Sequence, residues 1–218
     1  MPRSPSTFQP WNAGRLKNYA AAVPTLEKLL EREPENQHIR YTLAQTYTMA
    51  GKFDQAITIL DKLHAIPGPH AGAVANDLAY LLAEHRPDRM DEAYNLAKGA
   101  VEKYGNNPAI LDTLGWVLHL RGKSQESLQP LGRAVAALPN VADVHYHIGS
   151  VYQKLGNTDW ARYHLEEAAR DKENPIAPRA AAAARRETVR HGGAIVFVVT
   201  SALETMPSAV DTLNDWME

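Results

Sequence analysis

Histidines are the first residues in this sequence whose type and spacing could do chemistry. His145 and His147 are two positions apart, which places them on opposite sides of a helix, so this pair alone does not hold one metal ion. A metal site would need one of them beside His119. The run His164-Leu-Glu-Glu lacks the second histidine of a zinc-protease helix.

Other candidate motifs are incomplete. The segment Gly122-Lys-Ser resembles the end of a phosphate-binding loop, but Val117 stands where such a loop needs a glycine. No serine lies in a nucleophile elbow, so we expect no enzyme activity and no cofactor. Four arginines near the C-terminus have no aromatic residues between them for base stacking, so no nucleic-acid partner is predicted. They are Arg179, Arg185, Arg186 and Arg190.

Composition excludes several classes of protein. Of the 218 residues, 44% are hydrophobic, which suffices for a packed core, and the formal net charge of −2 gives no general attraction to nucleic acid or anionic membranes. The absence of cysteine rules out disulfides and thiolate metal sites. No stretch has the roughly 18 apolar residues of a membrane span, and residues 1–10 lack the apolar run of an export signal. A cytoplasmic location is the default expectation, or a periplasmic one if the chain is a fragment.

The sequence contains a repeat with a period close to 34 residues. Spacings of three and four residues place its recurring positions on one buried helical face, where small side chains let two helices approach closely. One column of small residues recurs at intervals of 34, 37, 34 and 34: Ala22, Ala56, Ala93, Ser127 and Ala161. A second column is always followed by alanine or glycine: Leu43, Leu78, Leu114 and Ile148.

Glycines and prolines divide each repeat into two helices. Gly51, Gly122 and Gly156 predict the left-handed residue that ends a helix, and Pro34 and Pro139 prevent the second helices from continuing. Each repeat is therefore predicted to be a helical hairpin. Such a hairpin cannot bury its own apolar face, so the hairpins must stack on one another.

These columns resemble the tetratricopeptide repeat family over about residues 19–170. The family pattern is a leucine, a small residue, a tyrosine and then an alanine in the second helix. The resemblance implies an all-α, right-handed superhelix of stacked helical hairpins, an α-solenoid. Residues 76–83 and 111–116 are similar to bacterial tetratricopeptide proteins of cell-envelope and exopolysaccharide systems. The pattern is carried by Leu43-Ala44-Tyr47-Ala56 and Ile148-Gly149-Tyr152-Ala161.

We divide the chain into three parts. An N-terminal tail (1–17) precedes the repeat array (18–171), and a C-terminal extension (176–218) follows it. Residues 194–200 are β-branched and apolar, but we favour a helical cap for the extension because the last repeat must cover its open face. Pairing with a second chain and a disordered end are the alternatives. The array comprises a half repeat (18–34) and repeats 37–68, 71–105, 108–139 and 142–173.

The family resemblance implies that the first helices line a concave groove that binds a protein segment. One aromatic residue per repeat would face this groove, and such rings are common anchors for bound peptides. The alternative is that the rings only fill contacts between helices. The predicted binding residues are Tyr41, Gln45, Asn76, Tyr80, Asp112, Trp116, His119, Tyr146, Ser150 and Gln153.

The predicted groove carries acids at Asp77, Glu84 and Asp112, and it lacks the basic clamp with which some tetratricopeptide domains hold a terminal carboxylate. The expected partner is therefore an apolar or basic segment. We predict a non-catalytic scaffold or adaptor. The alternatives are a structural spacer that forms a homodimer through residues 194–217, an excised repeat domain of a larger envelope or export assembly, and a histidine metal site.

Overall fold

The computed structural model describes residues 13–105, 107–172, 174 and 176–190. Within these ranges the chain forms ten α-helices and one short 3-10 helix (Pro87–Arg89), and no strand. The expected helical cap and homodimer contact over 194–217 lie outside the described residues, as does most of the expected N-terminal tail. The helices are α1 (Ala13–Arg32), α2 (Gln37–Met49), α3 (Phe53–His64), α4 (Ala71–His85), α5 (Met90–Tyr104), α6 (Pro108–Leu120), α7 (Ser124–Ala137), α8 (Ala142–Leu155), α9 (Thr158–Arg170) and α10 (Ile176–Arg190).

Consecutive helices pair into four hairpins, α2–α3, α4–α5, α6–α7 and α8–α9, and each hairpin packs against the next. Helix α1 packs on the first hairpin through α2, while α10 packs on the last one through α9 and α8. The first helices α4, α6 and α8 also contact one another in order, so they form one continuous wall. The predicted all-α solenoid of stacked hairpins is confirmed.

Small residues hold the two helices of each hairpin close together. In the second helices, the column residues from Ala56 to Ala161 have no exposed surface. In α6, a Cβ atom added to Gly115 would lie 2.4 Å from Cγ of Leu131 on α7. The backbone of α6 therefore occupies the space that a side chain would need, and the leucine of the facing helix fills the remaining groove.

The helix ends agree with the glycine pattern. Gly51, Gly122 and Gly156 have φ angles of 72°, 81° and 79°, which only glycine adopts without strain. Each of them follows a first helix and turns the chain into the second helix of the same hairpin. Gly105, with φ of 68°, follows α5, the second helix of its hairpin, and leads into the first helix of the next hairpin.

Helix α1 differs from the expected half repeat. It begins at Ala13, within the expected tail, rather than at residue 18, and continues through Pro24. Among the side chains of residues 19–32, Val23 is buried, with 1% exposed, whereas the column residue Ala22 is half-buried. Helix α1 packs mainly on α2, so its buried stripe follows that contact and includes the partly buried Leu26 and Leu30.

Replacing Gly115 by alanine is expected to lower the free energy of unfolding by about 1–3 kcal/mol, because the new methyl group overlaps Leu131. Gly99 on α5 is the matched control, since no atom lies within 4 Å of its added Cβ. Gly99→Ala should raise the free energy of unfolding by roughly 0.5–1 kcal/mol through helix propensity. Urea unfolding followed by circular dichroism measures both, and equal effects at the two positions would contradict the close contact.

Candidate functional site

A cavity of about 480 Å³ lies along the wall of first helices and is referred to below as the groove cavity. Helices α2, α4, α6 and α8 all contribute to it, together with the segments that precede α4, α6 and α8. Its lining combines tyrosine rings, amide side chains, histidines and three aspartates. The polar lining residues on the four helices include Tyr41, Gln45, Asn76, Asp77, Tyr80, Asp112, Asp143 and His147.

At one end of the groove cavity, α2 and α4 are joined through Asp77. The Tyr41 hydroxyl donates a hydrogen bond of 2.8 Å to Oδ2 of Asp77, and Nδ2 of Asn76 lies 3.4 Å from Oδ1. Asp77 is only 4% exposed. Burial raises the pKa of Asp77 to about 7, although the two neutral donors oppose this shift. The Tyr41 ring also stacks on His70, with 4.9 Å between ring centroids.

At the other end, α6 and α8 are joined by an ion pair. Nδ1 of His147 lies 3.0 Å from both carboxylate oxygens of Asp112, and because a carboxylate only accepts, this nitrogen carries the proton. Burial lowers the pKa of His147, but Asp112, Asp143 and Glu84 outweigh burial and raise the pKa above its usual value. His147 therefore pairs with Asp112 and carries the balancing positive charge when its imidazole is protonated.

Asp143 lies one helical turn before His147 on α8 and also lines the groove cavity. Its Oδ2 accepts a hydrogen bond of 3.4 Å from Nδ2 of Asn174, which precedes α10. Burial raises the pKa of Asp143 to about 6, although His147 and Asn174 oppose the shift. The half-buried carboxylate of Asp143 thus lies beside a neutral amide and within the electrostatic influence of His147.

Trp116 lies behind the groove cavity rather than in its lining. It is 3% exposed, its Nε1 donates a hydrogen bond of 2.6 Å to Glu84, and its ring stacks on His147 with 4.3 Å between centroids. Tyr146 is also buried, with its ring centroid 6.0 Å from that of Trp116. Both rings therefore support the ion pair and the packing of α8 and α10.

Five of the ten predicted binding residues line the groove cavity and five do not. Among those that do not, the Ser150 hydroxyl donates to the Tyr146 carbonyl, and Nδ1 of His119 lies 3.0 Å from the Ser124 hydroxyl oxygen. Asp143 and His147 were missed, although the four-residue spacing between them indicates one helical face. Tyr41, Gln45, Asn76, Tyr80 and Asp112 line the groove cavity, whereas Trp116, His119, Tyr146, Ser150 and Gln153 do not.

His145 and His147 point to opposite sides of α8, as their two-residue spacing predicts. His147 faces the groove cavity, while His145 points away: its Nε2 donates to the Pro139 carbonyl at 3.0 Å, and its Nδ1 lies 3.0 Å from Nδ1 of His164. Burial lowers the pKa of His145, and burial together with His145 lowers that of His164 to about 3. In the part of the chain that the structure describes, no three histidine, aspartate or glutamate side chains converge as metal ligands.

No described helix is both long and apolar enough to cross a bilayer.

Asp77→Asn is expected to change the pH dependence of stability. The folded state keeps the Asp77 proton up to about pH 7, whereas the unfolded state loses it near 3.8, so wild-type stability falls as pH rises through this window. At about pH 8 the variant should therefore be more stable than the wild type by roughly 1–3 kcal/mol, and the difference should vanish near pH 4. Urea titrations at both pH values measure it.

Asp159→Asn is the control for this substitution, because the Asp159 side chain is 83% exposed. It should leave the pH dependence unchanged. A stability difference for Asp77→Asn that stays constant with pH would contradict a buried, uncompensated carboxylate.

Comparisons with known proteins agree with this architecture. The sequence profile of the tetratricopeptide repeat family matches residues 15–67. A thermophilic TPR protein of Thermus thermophilus is similar in structure, with 23% identity and a TM-score of 0.63 over 77% of this chain and 91% of that one. MamA AMB-1 has 24% identity and a TM-score of 0.53 over 71% of this chain and 91% of its own. A MamA RS-1 double mutant has 15% identity and a TM-score of 0.54 over 71% and 86%.

No curated protein matches the chain by sequence. The profile match and the solved structures together support the resemblance to the tetratricopeptide repeat family. The solved structures show the fold, which is a tetratricopeptide solenoid.

Proposed function

We propose that this chain is a non-catalytic scaffold or adaptor that binds a protein segment, apolar or basic in character, in the groove cavity. The observation that carries the proposal is the groove cavity itself, a concave site of about 480 Å³ lined by α2, α4, α6 and α8 together. Proteins with tetratricopeptide repeats generally mediate protein–protein interactions, which supports this class of function.

The lining of the groove cavity suits a polypeptide. Gln45 and Asn76 are half-buried amides that can pair with the backbone of a bound segment, and the half-buried Tyr80 offers an aromatic surface beside them. The volume falls in the range of roughly 300–1,000 Å³ that is typical of ligand sites. An extended segment that follows the wall would contact side chains of several repeats at once.

The histidine–aspartate pair in the groove cavity does not favour catalysis. His147 is 3% exposed, its Nδ1 is committed to Asp112, and one face of its ring is covered by Trp116. A general base must reach the proton that it abstracts, and this imidazole is held inside the wall. We therefore assign the pair to the shape and charge of the groove.

The biological setting is part of the proposal. Residues 76–83 and 111–116, which resemble bacterial cell-envelope and exopolysaccharide proteins, lie in α4 and α6. Both helices line the groove cavity. This resemblance supports a scaffold role in an assembly of that kind.

Ala73→Arg is expected to block the groove cavity. Ala73 is exposed on α4 and lines the cavity, so a long side chain there occupies the space of the bound segment without disturbing the core. Segments selected from a random peptide library on the wild-type chain should bind the variant at least about ten-fold more weakly, a change of roughly 1.4 kcal/mol. Fluorescence anisotropy titrations measure the affinities.

Ala136→Arg is the matched control, since Ala136 is exposed on α7 and does not line the groove cavity. It should bind the selected segments as the wild type does. Equal affinities of both variants and the wild type would contradict binding in the cavity, and so would a selection that yields no binding segment.

A further inference from the structure

Two of the three aspartates in the groove cavity form no ion pair in the described part of the chain. Asp112 is balanced by His147 at 3.0 Å. Asp77, in contrast, receives only the neutral donors Tyr41 and Asn76, and Asp143 receives the neutral amide of Asn174. Burial raises the pKa of both carboxyl groups, and that of Asp143 stays raised although the charge of His147 opposes the shift.

None of the described residues that line the groove cavity carries a permanent positive charge. Among the described residues that line the groove cavity there is no lysine and no arginine; the only basic side chains are His38, His70 and His147. A concave site with walls of low polarity concentrates the field of its charges. The cavity is therefore electronegative wherever its aspartates are ionised.

The cavity also contains an acceptor without a donor. Oδ1 of Asn76 is buried and has no hydrogen-bond partner, while Nδ2 of the same amide faces Asp77. Turning the amide over would place its oxygen against the carboxylate, so Asp77 fixes this orientation. A buried acceptor that is left unpaired costs free energy, so the hydrogen bond to Asp77 is made at the expense of this oxygen.

The chain itself shows how this wall accepts a guanidinium group. Arg179 on α10 places its Cζ 4.9 Å from the ring centroid of Tyr146 on α8. Although burial raises the pKa of Tyr80, the charge of Arg179 opposes the shift, so this guanidinium lies near a ring that lines the groove cavity. Tyr41 and Tyr80 bring further rings to the groove cavity itself, where no side chain of the described residues that line it supplies such a cation.

We propose that the bound segment is basic and that the groove cavity receives one of its arginine or lysine side chains, with Asp77 and Asp143 as counter-charges. This inference rests on the proposed function. Arginine fits better than lysine, because its planar group presents several donors to carboxylate and amide acceptors and stacks on tyrosine rings. A cation that binds there offsets part of the free energy lost by burying Asp77 and partly burying Asp143 in the unbound chain.

The test uses peptides selected from a random library on the full wild-type chain. The selected peptides should share an arginine or lysine, and replacing that residue by glutamine should weaken binding to the wild type at least ten-fold. With the Asp143→Asn variant, the fold-loss of affinity caused by the same glutamine replacement should be at least three-fold smaller, since the counter-charge is gone. Asp159→Asn, at an exposed position outside the cavity, should behave as the wild type.

Ala109→Lys provides a second variant that does not touch the buried carboxylates. Ala109 lines the groove cavity on α6 and is half-buried, so a lysine there brings a positive charge to the wall. This substitution should weaken the binding of the basic peptides at least ten-fold. It should weaken the binding of the peptides in which glutamine replaces the basic residue less than three-fold. Thermal melting of each variant checks that the fold is retained.

The outcomes separate this inference from the proposed function. Two results would overturn the inference and leave groove binding intact. In the first, the selected peptides lose affinity for Ala73→Arg but share no basic residue. In the second, they bind the wild type equally well after their arginine is replaced by glutamine. Peptides that are insensitive to Ala73→Arg overturn both.

Discussion

The structure depends on the fact that no helical hairpin in this chain can bury its own apolar face. Each hairpin closes only because small residues let its helices touch, as at Gly115, where the backbone of α6 meets Leu131 of α7. The apolar face left over is buried by the next hairpin. Because the hairpins stack on one another through similar contacts, their first helices lie side by side. They form the wall that includes α4, α6 and α8.

Much of this architecture could be predicted from the sequence because it depends on local spacing. Helical period, the small columns and the glycines at helix ends each act over a few residues, and the structure places Ala56, Ala93 and Gly122 as expected. Helix α1 was less well predicted, since its contact is one-sided and Val23 rather than Ala22 is buried. Periodicity predicts a face, while the neighbouring helix decides which residue of that face is covered.

The groove cavity was predictable only in part for the same reason. Spacing placed Tyr41, Asn76 and Asp112 on the face that lines the groove cavity, but the depth of each side chain depends on partners from other repeats. Trp116 is withdrawn from the surface by Glu84 and His147, and these lie 32 and 31 residues away in the sequence. The electrostatic character of the cavity depends equally on such distant pairings. Buried carboxylates without cations cost stability, and folded chains commonly carry such costs at sites that bind ligands.

The central claim is that the stack of hairpins forms a groove that receives a protein segment and one of its basic side chains. A crystal structure of the chain with a library-selected peptide tests it most directly. The claim predicts the peptide along α2, α4, α6 and α8, with a basic side chain within hydrogen-bonding distance of Asp77 or Asp143. A peptide bound on the outer surface of the second helices, with the groove cavity empty, would contradict it.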